Sequence, residues 1–447
     1  MGQKESLITQ AAAAAPAGGR ERPTSVRYQV LAAACTVAVV TYIHRVGFSR
    51  ALPVLQTDLS LSDLQSGVLT AAFSLAYGLF EIPCGLLGDR LGVRHLLTLL
   101  VLGWSLMTGF GALVIYLPNH WMLPFLFLLL VRFLFGMFQA GAFPSLSRMM
   151  TDWMPLQNRA SAQGLIWMSS RLGGLIIPVC LGRLMDWCGD WRAPLWIIAG
   201  IGVLWCLAFW PWFRNRPEEM PGVNSAERLL IIKGRVERPA GHALVPWRRM
   251  LHSRSVWALC FTYGFGGFAA NFYVTLLSSF LANVRQLPKD KVDLLSSLPF
   301  AFGLVACAGG GYLSDRFIRL TGNRTWGRRL NGTIGTALGG LGWLSINWAH
   351  ETWMLGFLLC LIFFANDMAM GPAWAACSDI GERYAGTLGG AMNMIGNILG
   401  AAGNIVAGYF FGIHRPDVVF IIYACSFWLA TICWQGVDVT RPVEADP

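Results

Sequence analysis

Stretches of ~20 predominantly apolar residues, the length a helix needs to cross a hydrocarbon layer, recur along this chain of 447 residues. They fall near 28–54, 64–87, 95–116, 121–146, 158–181 and 191–213. After a polar interruption, six more lie near 254–283, 291–313, 327–348, 351–376, 384–409 and 416–436. In lipid a backbone has no water to bond and must satisfy its own N–H and C=O groups, which a helix does. An ordinary soluble domain is excluded, because only 13% of the residues are charged and 55% are hydrophobic, against the ~25% charge of such domains. The expected fold class is an all-α membrane protein, with about twelve transmembrane helices as two six-helix bundles.

Lys and Arg set the orientation. The loop between the two sets holds Arg214, Arg216, Arg228, Lys233, Arg235, Arg238, Arg248, Arg249 and Arg254, and the loop after the eighth segment holds Arg316, Arg319, Arg324, Arg328 and Arg329. Loops on the opposite side hold Arg183, Arg192, Arg285, Lys289, Lys291 and Arg415. The positive-inside rule therefore places both termini in the cytoplasm of a multi-pass protein of the cell membrane. The net charge of +10 is thereby accounted for by short loops in contact with the lipid bilayer, without nucleic acid as a partner. The expected organisation is a disordered tail over 1–27, a first bundle over 28–213, a cytoplasmic linker over 214–253, a second bundle over 254–436 and a tail over 437–447. The opening MGQKES superficially fits a myristoylation signal, yet a chain with twelve spans has no need of a lipid anchor. Eleven scattered cysteines without a CxxC indicate neither disulfide, metal site nor cofactor.

One signal occurs twice. GLLGDRLGVRH (85–95) follows the second segment, and GGYLSDRFIRLTGNRTWGRR (310–329) follows the eighth. Two G-x-L-x-D-R turns about 225 residues apart are what two parallel six-helix repeats produce. Asp89 and Asp315 can sit at helix N-termini or pair with arginines across the two halves, while Gly85 and Gly88 allow close helix approach. With Arg90 and Arg316, they form a candidate gating motif.

Few polar residues stand inside the apolar segments. Arg132 interrupts the apolar first half of FLLLVRFLFGMFQAGAFPS (127–145), and near the middle of the hydrocarbon a charge costs from ~3 to more than 10 kcal/mol. His44 and Arg45 adjoin in the first segment, with Arg50 farther out; Tyr77 and Glu81 share a face of the second; Gln139 shares a face with Arg132. Ser169, Ser170 and Arg171 lie in the fifth, Tyr263 and Asn271 in the seventh, Asn366, Asp367 and Trp374 in the tenth, and Asn393, Asn397 and Asn404 in the eleventh. Asn397 and Asn404 read as helix glue. Arg45 and Arg132 face one deep carboxylate in their half, Glu81. A site with that surplus of positive charge attracts an anion.

The duplicated motif resembles the major facilitator superfamily and implies its pseudo-symmetric fold. RFLFGMFQAGAFPSLSRMMTDWMPLQNRASAQG, SRLGGLIIPVCLGRLMDWCGDWRAPLWIIAGIGVLW, the linker FRNRPEEMPGVNSAE…VPWRRMLHSRSVWAL and SDIGERYAGTLGGAMNMIGNILGAAGNIVAGY are similar to its anion:cation symporter family, which includes hexuronate, galactonate and sialic-acid permeases and vesicular glutamate transporters. The resemblance covers roughly 28–436. It implies a secondary transporter, likewise a monomer, carrying a small organic anion such as a sugar acid by alternating access. It further implies that Arg45, Tyr77 and Arg132 contact the carboxylate and hydroxyls of the substrate, and that Trp374 and Asn393 close over it. Ser170 stands where galactonate-type members carry a glutamine.

Two positions depart from that pattern. Proton-coupled relatives carry an acid before the first-helix arginine and another two turns after the fourth-helix arginine; here these are His44 and Gln139. Glutamine cannot titrate. Coupling then falls to His44, Glu81 or Asp367, with H+ or Na+ as candidate ions, or is absent in a uniporter or exchanger. Two other functions are weighed: a sugar-phosphate/phosphate exchanger, which would pair deep arginines from helices one and seven, and a solute sensor, which would carry a long cytoplasmic extension. The body of the seventh segment, ALCFTYGFGGFAANFYVTLLSSFLA, has no arginine, and the linker and tails are short. No H-E-x-x-H, G-x-S-x-G or P-loop points to an enzyme.

Overall fold

A computed structural model of the chain describes residues 21–61, 63–116, 122–232 and 245–443. The opening MGQKES and most of the expected disordered tail, linker residues Lys233, Arg235 and Arg238, residues 444–447 and the side chain of Arg50 lie outside the described residues. The first half consists of α1 (Val26–Asp58), α2 (Asp63–Leu91), α3 (Val93–Ala112), α4 (Leu123–Ala140), α5 (Ala142–Trp153), α6 (Arg159–Cys188) and α7 (Arg192–Trp212). A linker helix, α8 (Ser225–Ile232), follows. The second half consists of α9 (Arg254–Thr275), α10 (Lys289–Thr321), α11 (Arg324–Ser345), α12 (Thr352–Met368), α13 (Met370–Gly381), α14 (Ala385–Gly412) and α15 (Pro416–Trp434).

Nine stretches among the described residues are long and apolar enough to cross a membrane. One of them, Thr352–Gly412, is 61 residues long and folds back as two crossings, α12 with α13 and then α14. Adding α9 and α11, both diluted by glycine, gives twelve. Each fourth crossing is broken near its middle, at Gly141 between α4 and α5 and at Ala369 between α12 and α13. Large apolar side chains such as Leu75, Leu204, Val305, Ile405 and Ile432 stay exposed on the outer surface. Lipid tails are as apolar as leucine, so helix association here rests on close fit rather than on removing these groups from water.

That fit repeats across the two halves. A Cβ at Gly85 of α2 would collide with the carbonyl oxygen of Gly386 at the start of α14, and one at Gly311 of α10 with that of Ala160 at the start of α6. Asp89 accepts from the backbone N–H of Gly386 (3.2 Å) and Thr387 (2.7 Å) and from the Thr387 hydroxyl (2.6 Å). Asp315 accepts from the N–H of Ala160 (3.4 Å) and Ser161 (2.6 Å). Each carboxylate thus caps the first turn of a helix in the opposite half, where exposed N–H groups and the helix dipole favour a negative charge.

These contacts lie on the face that carries the ends of the described chain. Residues before α1 are held there, contrary to the expectation of a disordered tail running through residue 27. The buried Glu227 of α8 accepts from the Thr24 hydroxyl at 2.5 Å, from the N–H of Val26 and Arg27, both at 3.2 Å, and from the Arg27 guanidinium at 2.9 Å. At the other end, the N–H of Val443 donates to the Ile380 carbonyl at 3.0 Å.

Candidate functional site

At mid-depth, between the halves, the inward faces of α1, α2, α4, α9, α13 and α14 converge. Arg45 of α1 donates from Nε to Oε1 of Gln139 at 3.0 Å. The amide is oriented by its other end, since Gln139 Nε2 donates to the Thr41 carbonyl at 3.0 Å. The Arg45 guanidinium carbon lies 4.6 Å from the ring centroid of Tyr77 and 5.4 Å from that of Phe73.

Arg132, two turns before Gln139 on α4, is only 4% exposed. Its guanidinium carbon lies 4.0 Å from the ring of Phe48, 4.9 Å from Phe73 and 5.0 Å from Phe135. Cation–π attraction offsets part of its desolvation. Its Nε has no hydrogen-bond partner, and no carboxylate pairs with it among the described residues.

From α2 and α14 a polar chain closes the cluster across the two halves. Asn393 donates from Nδ2 to the Tyr77 hydroxyl at 3.1 Å and to Glu81 in a very short bond, and accepts from the Tyr263 hydroxyl at 3.3 Å. Asn397 Nδ2 donates to the same Glu81 oxygen at 3.0 Å. The other carboxylate oxygen of Glu81 is buried without a hydrogen bond. Trp374 of α13 is fully buried, with the Tyr263 ring edge-on at 6.0 Å and Trp167 at 5.9 Å.

Arg45, Tyr77, Glu81, Arg132, Gln139, Tyr263, Trp374 and Asn393 therefore come together. Four other candidates do not join them. His44 points behind α1, where its Nδ1 lies 2.9 Å from the Thr108 hydroxyl and its ring packs edge-on to Trp104. Ser170 donates to the Trp167 carbonyl of its own helix at 2.7 Å. Asn271 packs so close to α14 that a Cβ at Gly400 would strike its amide. Asp367 is engaged with Arg171 through two bonds, 2.8 Å to Nε and 3.0 Å to Nη2.

That last pair joins α6 to α12 across the halves, and sequence reading left Arg171 without a role. Asn397, expected to act as helix glue, joins α14 to α2 through Glu81. Of the gating motif, Arg90 and Arg316 are exposed, the latter bonded to Tyr312. Other arginines meet the aspartates. Arg148 lies 3.6 Å from Asp89 and donates to the carbonyls of Glu382 and Arg383. Arg328 joins Asp315 (2.7 Å), Asp379 (3.1 Å) and the Leu156 carbonyl (3.0 Å), and Arg159 meets Asp379 at 2.8 Å. The signal available in sequence was the equal spacing of the two repeats, which brings the start of α6 opposite α10 and the start of α14 opposite α2.

Comparison with known proteins places this architecture. The family model of the Major Facilitator Superfamily matches residues 34–404. A protein of Cupriavidus necator named a probable sulfoacetate transporter is 30% identical over 388 residues, covering 86% of this chain and 87% of its own. The hexuronate transporter of Bacillus subtilis is 25% identical, covering 83% and 85%. Among solved structures, the human organic anion transporter MFSD10 superposes with a TM-score of 0.68 at 17% identity, covering 92% of this chain and all of that one; at that identity the likeness concerns the fold.

Proposed function

Since the chain belongs to the major facilitator superfamily, we propose that it is a secondary transporter that carries a small organic anion, a sugar acid or related carboxylate or sulfonate, across the cell membrane by alternating access. The observation that carries this reading is Arg132, a buried guanidinium without a carboxylate partner among the described residues, beside Arg45, whose Nε is held by a neutral amide. The named substrates of the relatives, sulfoacetate and hexuronate, are anions that such a site would take. Both termini are cytoplasmic in this reading, from the loop charges, and one chain suffices because the cluster is complete within it.

Glu81 is the proposed coupling residue. It stands inside the cluster and can take up and release a proton, which Gln139 cannot. His44 faces away from the cluster, and Asp367 is engaged by Arg171. Binding of an anion between Arg45 and Arg132 and proton occupancy of Glu81 would then influence one another through the shared field.

The test is counterflow and uptake in proteoliposomes with a panel of hexuronates, aldonates and short sulfonates, with and without an imposed pH gradient. Counterflow of at least one anion is expected, with net uptake of the same anion driven by an inward proton gradient. Exchange of neutral sugars but of none of the anions would refute the reading.

A further inference from the structure

We propose that the corner where the linker enters the second half binds an anionic phospholipid, with the phosphate on an arginine collar and an acyl chain along an aromatic column. This site is separate from the central cluster and needs only that the chain spans a membrane. A short helix, Trp247–His252, meets the start of α9 at Ser253. Two bonds fix the corner: the Ser253 hydroxyl accepts from the N–H of Val256 at 3.4 Å, and the Trp257 indole donates to the Leu251 carbonyl at 2.7 Å. The N–H of Asp438 donates to the Ser255 hydroxyl at 3.1 Å, which puts the corner on the face that carries the chain ends.

Charge names the headgroup. Arg248, Arg249 and Arg254 are exposed at the corner, and none of them has an ion pair among the described residues. Asp438, which packs against the start of α9, is taken by Thr325 (3.1 Å), Thr440 (2.6 Å) and Arg441 (3.7 Å). Guanidinium forks match the oxygens of a phosphodiester.

The apolar surface says that the phosphate carries a chain. Trp247 and Leu251, one turn apart on the short helix, are 40% and 56% exposed beside the arginines. A segment in the headgroup boundary presents such a pair with its apolar side in the acyl region and its charges at the phosphates. Next along α9, Trp257 and Phe261 are exposed. They stack with Phe265 at centroid separations of 5.5 and 5.9 Å and interplanar angles of 23° and 25°. From Arg254 to Phe265 the helix rises ~16 Å, and one leaflet of hydrocarbon is ~15 Å deep. An extended acyl chain can lie along this column while its phosphate reaches the collar. A soluble phosphate ester would use the collar alone.

The experiment is native mass spectrometry of the purified full chain in neutral detergent, with equimolar dioleoylphosphatidylglycerol and dioleoylphosphatidylcholine added. The phosphatidylglycerol adduct is expected to exceed the phosphatidylcholine adduct at least fivefold and to persist in a hundredfold excess of glycerol 3-phosphate. In Arg248→Gln/Arg249→Gln/Arg254→Gln, checked for folding by size exclusion, the ratio should fall below twofold. Removing three exposed arginines elsewhere on this face, Arg90→Gln/Arg316→Gln/Arg319→Gln, should leave it above threefold. Trp257→Ala/Phe261→Ala, with the collar intact, should lower phosphatidylglycerol binding at least threefold. No preference in the wild type, an equal loss in both arginine triples, binding untouched by the aromatic variant, or displacement by glycerol 3-phosphate would each overturn the inference. Counterflow is measured separately: loss of the lipid preference with anion exchange intact sinks this site alone, and a preference that holds without any anion exchange sinks the transport reading alone.

Discussion

A guanidinium in the middle of a membrane helix survives only where its surroundings repay the desolvation, and Arg132 is repaid by three phenyl rings. The rings give less than a carboxylate would, which leaves the charge available to a ligand. Arg132→Ala is expected to reduce uptake at least a hundredfold without lowering the amount of protein in the membrane. Arg45→Ala should do the same. Lysine at either position should rescue poorly, since a bidentate fork becomes a point charge; uptake at wild-type rate in an alanine variant would make that arginine structural. Glu81→Gln separates driving force from binding: proton-driven accumulation should be lost while counterflow persists. Retained accumulation would move coupling elsewhere. The two arginines were legible in sequence because charge is rare in hydrocarbon. The partners were not. That Gln139 presents its oxygen to Arg45, or that Asn397 glues α14 to α2 through Glu81, depends on side-chain facing across separate helices, which no local pattern encodes.

At the scale of the element, spans follow from length and apolarity, which is why the twelve segments were readable to within about eight residues at their ends. The breaks at Gly141 and Ala369 are not seen in apolarity alone; their local signal is Pro144 and Pro372, each three residues on, which have no N–H for the carbonyl four residues back. The duplicated G-x-L-x-D-R turn was visible, yet its arginines proved to be the exposed ones. The acceptors' true partners are helix starts in the opposite half and Arg148 and Arg328. Because Asp89 caps α14 and Asp315 caps α6, Asp89→Asn or Asp315→Asn should slow turnover several-fold, while substrate affinity measured in detergent stays within about threefold. Loss of a carboxylate at a helix N-terminus costs ~1 kcal/mol or more in such partly buried settings. A large loss of equilibrium affinity would instead tie these aspartates to the ligand. Gly85→Val tests the same crossing sterically, and a turnover unchanged by it would mean that α2 and α14 do not need this approach.

The whole molecule is two halves that must part on the face carrying the chain ends if the central cluster is to open there. Most of the inter-half contacts described lie on that face, but Arg171 and Asp367 tie α6 to α12 at mid-depth through two bonds of 2.8 and 3.0 Å. Both side chains are buried, 10% and 0% exposed. Removing one member of a buried pair leaves the other charge uncompensated, at a cost of ~3–5 kcal/mol. Any state that lets the survivor reach water or another partner gains by comparison. Asp367→Asn and Arg171→Gln are therefore each expected to shift the population away from the closed arrangement by a factor of ~30 or more, a change worth ~2 kcal/mol. The double variant should lie closer to wild type than either single, because a neutral amide couple replaces two stranded charges. Spin labels at the exposed positions Arg90 and Arg319, one in each half, report the distance distribution across this face by pulsed electron resonance. Unchanged distributions in both single variants would show that the pair does not hold the halves together. If Asp367→Asn instead abolished proton-driven accumulation with its distances unaltered, Asp367 rather than Glu81 would be the coupling carboxylate.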